Sequence, residues 1–122
     1  MEKNMLNKLA TLFLLSVLMT VSVEAKEYYH KTKQLKGQKF YLKRCGSCHG
    51  SGKMGGNIYS TYEWDEIFKN QAKELAWLHG GEKGEKEIKQ YIDSKEFKKE
   101  SKYILKFIRE FAYDSQYIPT CN

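Results

Sequence analysis

The sequence predicts a small all-α domain of four to five short helices, on three observations. Apolar residues recur at helical spacing in several separate stretches. No apolar–polar alternation runs for a useful length, so strands are not expected. Serine, glycine and a single proline punctuate the pattern often enough to keep each helix short.

The N-terminus stands apart from that domain. Two lysines occur between Met1 and Lys8, and Leu9 to Val23 is an apolar run broken only by hydroxyl residues. Small residues follow at Val23 and Ala25. A basic start, a short apolar stretch and a small-x-small site predict a signal peptide over 1–25, hence export to a periplasm. The run is shorter than the roughly 18–20 residues that span a bilayer, so a membrane anchor follows only if the segment stays uncut. Residues 26–122 remain as one domain.

Within it, LKGQKFYLKRC places Phe40, Tyr41 and Cys45 at helical spacing and leads into a glycine-rich loop, Gly50–Gly56. STYEWDEIFKN opens with Ser60 three residues before Glu63, a capping-box pattern, followed by Trp64, Ile67 and Phe68. KELAWLHGG gathers Leu75, Leu78 and His79 and stops at two glycines, as a helix end should. EKEIKQYIDS puts Ile88, Tyr91 and Ile92 on one face. In SKYILKFIREFAYD, Ile104, Phe107, Ile108 and Phe111 form the clearest apolar stripe.

Twenty-one Lys and Arg stand against fifteen Asp and Glu, a net charge of +6. Lysines interleave with glutamates, which reads as a solvated surface or as a docking face for acidic redox partners. An exported chain without an Arg-rich patch is a poor nucleic-acid binder. No Ser/His/Asp set or carboxylate pair at a suggestive spacing points to a hydrolase.

The chemistry concentrates in CGSCH. One helical turn puts Cys45 and Cys48 on the same side, with His49 about 100° further round. Two thiols so placed can add to the vinyl groups on one edge of a porphyrin while the imidazole turns under its face to the iron. C-x-x-C-H reads as c-type haem attachment. A structural zinc site needs a second ligand pair, and Cys121, His30 and His79 are single and scattered. A redox dithiol should follow a strand, and none is predicted before Cys45. Haem leads; a haem-free thiol oxidoreductase or metal carrier stays open behind it.

GQKFYLKRCGSCHG, Gly37–Gly50, resembles the N-terminal helix and haem-binding loop of small class I cytochromes c. In that pattern a glycine stands eight residues before the first cysteine and an aromatic four before it, here Gly37 and Tyr41. YILKFIREF is similar to the family's C-terminal helix, which crosses the first near that glycine, with Phe107 as the packing aromatic. The resemblance covers about a third of residues 26–122. It implies a one-haem electron carrier, with Cys45 and Cys48 as thioether attachments and His49 as proximal iron ligand.

The distal ligand is where the sequence departs from that family, whose members usually take a methionine well downstream. The only methionine past the leader is Met54, five residues beyond His49 and short of reach. His79, at a helix end followed by glycines, is the first candidate and Met54 the second; a plain helix cap is the rival role for His79. His30 reads as a surface histidine and Cys121 as a free or intermolecular thiol. An open site would make the chain a five-coordinate haem protein for ligand sensing or peroxide chemistry. With a distal ligand it is an electron carrier and not an enzyme.

Overall fold

The two helices with the strongest sequence patterns come from opposite ends of the domain and pack against each other. The computed structural model describes residues 31–119. The predicted leader, His30 and Cys121 lie outside them. In chain order the helices are α1 (Leu35–Arg44), α2 (Gly46–His49), α3 (Gly52–Gly56), α4 (Thr61–Leu78), α5 (Glu85–Ile92) and α6 (Lys95–Glu110). Among the described residues there is no strand. Among the described residues the count is six rather than four to five: the turn Gly46–His49 and the expected loop Gly50–Gly56 add the single-turn helices α2 and α3, while two segments expected apart, around Trp64 and Leu75, join as α4.

α1 and α6 form the frame. A Cβ built on Gly37 would lie 2.2 Å from the Tyr103 carbonyl oxygen and 2.7 Å from Cβ of Phe107. Only glycine permits that approach, so the backbones cross where the sequence places its bare position. Around the crossing, Tyr41, Ile104, Phe107 and Phe111 are almost wholly removed from solvent. Tyr41 meets Phe107 at 5.3 Å and Phe107 meets Phe111 at 5.0 Å between ring centroids, tilted as aromatic quadrupoles prefer.

α4 starts where the capping box predicts. The Ser60 hydroxyl accepts from the Glu63 N–H, and the Glu63 carboxylate accepts from the Ser60 N–H. Its Trp64 and Ile67 close the core from the second side. Ser94 caps α6 by accepting from the Phe97 N–H at 3.1 Å. Among the described residues no helix is long and apolar enough to cross a membrane.

At the far end of α1 a charged clamp replaces the apolar crossing. Arg44 donates to both carboxylate oxygens of Glu100 on α6, at 2.9 and 3.2 Å. The Tyr91 hydroxyl donates to the same carboxylate at 2.7 Å, and the guanidinium lies over the Tyr91 ring. This two-pronged bond fixes direction as well as distance. It ties α1, α5 and α6 together immediately before Cys45.

Two outcomes follow. Gly37→Ala should lower the unfolding free energy by about 1–3 kcal/mol through overpacking, despite alanine's better helix propensity. Chemical denaturation measures it, and an unchanged midpoint would remove the crossing from its role. The bonds from Arg44 and Tyr91 hold the Glu100 carboxyl below its usual 4.5. A depressed folded value contributes stability above the unfolded value, and that contribution is lost as pH falls from about 4.5 through the folded value. The denaturation midpoint of Glu100→Gln should therefore fall less steeply with acid than that of the parent.

Candidate cofactor site around Cys45–His49

The CGSCH turn continues the axis of α1 after a break at Cys45. The Cys45 N–H still donates to the Tyr41 carbonyl at 2.7 Å, and the His49 N–H donates to the Cys45 carbonyl at 2.9 Å. Cys45 packs against the core cluster, whereas Cys48 is exposed and the His49 ring is only partly covered. Burial pushes the Cys45 thiol up to about 12, helped by the neighbouring Cys48. A redox dithiol needs the opposite shift, because the thiolate is its nucleophile.

Gly50 ends the turn at φ +69, a backbone state that side chains rarely adopt. The chain then folds back as α3, and its glycines lie directly against aromatic residues of α1 and the end of α6. A Cβ on Gly52 would sit 2.6 Å from Phe107, one on Gly55 1.9 Å from the Tyr41 hydroxyl, and one on Gly56 2.6 Å from Phe111. Tyr41 donates to the Ser51 carbonyl at 3.3 Å and the Trp64 indole to the Gly56 carbonyl at 2.8 Å. The glycine-rich stretch is thus a packed pedestal for His49, where a sequence reading expected a loop.

His79 arrives by an unusual route. α4 is bent: after Phe68, Lys69 is extended and Asn70, Gln71 and Ala72 have φ of 50°, 59° and 56°. Left-handed backbone costs roughly 1–2 kcal/mol for a residue with a side chain. Complete burial of Ala72 holds the turn in place. The last turns of α4 then run to Leu78, with His79 as the C-cap.

There the two imidazoles meet. The rings of His49 and His79 lie 5.8 Å apart between centroids with planes at 85°. Two imidazoles bonded to one metal at about 2.0–2.1 Å, each ring centre roughly 1 Å behind its nitrogen, put their centroids roughly 6 Å apart. His79 Nδ1 lies 2.7 Å from the Leu75 carbonyl, which only accepts, so Nδ1 carries the proton and Nε2 keeps its lone pair. That bond caps the helix and fixes the orientation of the ring at once. His49 is held below its usual value by burial first and by His79 second, which favours the neutral form that binds metal.

Among the described residues no three His, Cys, Asp or Glu side chains gather as a metal-ion cluster. A porphyrin supplies four nitrogens itself and asks the protein for two, and one facing pair fits that need. The Met54 sulfur lies against Gly50, 2.9 Å from the point a Cβ there would occupy, and the side chain is largely exposed. The structure brings together His49 and His79, with Cys45 and Cys48 on the same turn as His49. The left-handed turn and the Arg44–Glu100–Tyr91 clamp were missed by sequence reasoning; Asn70, which tolerates left-handed backbone, is the one cue to the former.

Relief of the turn gives a direct test of its strain. Gln71→Gly, at an exposed position, should raise the unfolding free energy by about 1 kcal/mol, while a glycine at exposed Gln90 in α5 should lower it by a similar amount. Equal losses would show the turn unstrained.

No protein-family model, curated protein or solved structure compared with the chain matches it.

Proposed function

We propose that this chain is an exported one-haem c-type cytochrome that carries single electrons between redox proteins of the periplasm. The observation that carries the reading is the facing pair His49 and His79, the first on a C-x-x-C-H turn. Haem c, held covalently, supplies the one-electron couple when bound. The chain's own residues supply everything else. Cys45 and Cys48 fix the porphyrin edge through thioethers, and His49 is the proximal ligand. His79 is the distal ligand, oriented by its Nδ1–H bond to Leu75. The core rings under α3 keep His49 from moving when the charge on the site changes, which suits a carrier.

A histidine pair lacks the thioether that raises the potential in His/Met sites, so a lower potential is expected than for a methionine-ligated relative. Electron carriage needs no acid–base residue, and none is invoked. A second reading is favoured by one observation. His79 rides on a strained arm; release of that arm would leave an open iron for ligand sensing or peroxide chemistry. The raised Cys45 thiol weighs against a haem-free thiol oxidoreductase.

The protein should be produced with the c-type maturation machinery and its absorption recorded oxidised and reduced. Sharp α and β bands on reduction are expected, and His79→Ala should convert a low-spin spectrum to a high-spin one. An unchanged spectrum in that variant removes His79 from the iron. Ready binding of carbon monoxide by the unaltered ferrous protein would favour the open-site reading. A colourless product would return the motif to thiol or metal chemistry.

A further inference from the structure

Lysine and glutamate alternate along the sequence, yet the fold separates them. α1 carries four cations and no acid, and α6 carries six cations against three acids. Two of those acids are already engaged, Glu100 by Arg44 and Glu110 by the Thr32 hydroxyl. Residues 57–94 reverse the balance, with eight acids against five cations. α1 and α6 pack on each other, and Lys36 of one and Lys102 of the other come to the same side of the pair, over one ring.

That side has a centre. The crossing at Gly37 seats Lys36 over the Tyr103 ring, with Nζ 4.1 Å from the centroid, and Lys102 reaches the same ring at 5.1 Å. Phe40 packs against it at 6.0 Å. Lys36 bonds to the phenol, and the fields of Lys102 and Lys106 add to it, so Tyr103 is held below the usual tyrosine range. All three lysines are exposed. Among the described residues none of them lies within ion-pair distance of a carboxylate.

We infer that Lys36, Tyr103, Lys102 and Lys106 form the docking centre for a protein partner with a carboxylate-rich surface. Three ammonium groups without carboxylate partners attract such a surface from a distance and speed encounter. The half-buried tyrosine at their middle offers rigid contact area of the kind enriched where interfaces bind tightly. Lysine meets carboxylates as a compact point charge, and no arginine fork for phosphate stands in the cluster. The centre lies nine residues before Cys45, about 13 Å along α1. It therefore holds a partner without touching the thiol–imidazole turn. The inference is independent of the haem reading.

A deca-glutamate peptide titrated into the full protein at low ionic strength, followed by calorimetry, tests it. Reversing two charges as Lys36→Glu with Lys102→Glu should weaken binding at least about tenfold and flatten its salt dependence. The same charge change at Lys83 and Lys86, on the turn and α5, should weaken it less than about twofold. If circular dichroism shows the first variant unfolded, Lys36→Gln with Lys102→Gln serves, with a smaller loss in the same order. Equal losses in both pairs, or no binding by the parent, overturn the proposal. Binding to phosphatidylglycerol vesicles but not to the peptide would overturn it in favour of a lipid surface. In the reversed variant the absorption spectrum should stay as in the parent, which separates this docking claim from the claim about the iron.

Discussion

Everything in this molecule hangs from the contact between a missing side chain and a helix backbone. At Gly37 the first and last helices come so close that the Tyr103 carbonyl leaves no room for a Cβ. The approach brings Tyr41 and Phe107 into ring contact, and those rings are the floor on which α3 rests. α3 in turn packs against the Cβ of His49, three residues before its start. A helix crossing some twelve residues upstream thus sets the aim of an imidazole at the surface. The Arg44–Glu100 clamp does the same work from the other end of α1, using charge and direction where the crossing uses shape.

Much of this was legible in the sequence because it rests on short-range patterns. The stripe Ile104, Phe107, Ile108 and Phe111 announces a helix with one buried face, and all four are buried. Ser60 and Glu63 announce a helix start, and both capping bonds form. Gly37 announces a close approach, and the approach is there. The pedestal was less legible. Glycines at 50, 52, 55 and 56 look alike in a sequence, yet Gly50 is needed for its backbone angle and the others for the close approach of Tyr41, Phe107 and Phe111. Local chemistry cannot separate these roles, since the rings arrive from α1 and α6. The left-handed turn at Asn70–Ala72 was hidden for a similar reason: it opposes local preference and survives because Ala72 is buried.

His79 illustrates how a bland role and a sharp one can share a side chain. A histidine at a helix end commonly bonds a carbonyl of its last turn, and His79 does so through Nδ1. That bond leaves Nε2 unused, in a ring whose centroid lies 5.8 Å from that of His49. A helix cap and a fixed ring orientation are one interaction, so neither argues against the other. The charge pattern is similar: interleaved lysines and glutamates left open a solvated surface or a docking face, and packing brings Lys36 and Lys102 from separate helices to one ring.

The order of the core along the chain has a consequence for biosynthesis. Its two principal helices are the first and last of the described elements, so their contact closes a loop of nearly the whole domain. A chain made from its N-terminus cannot assemble this core until α6 has emerged. Throughout that interval the Cys45–His49 turn lacks the rings that later seat it, and both thiols stand in open chain. Covalent chemistry on them has its opportunity then, before burial withdraws Cys45. The fold acts as a timer as well as a support.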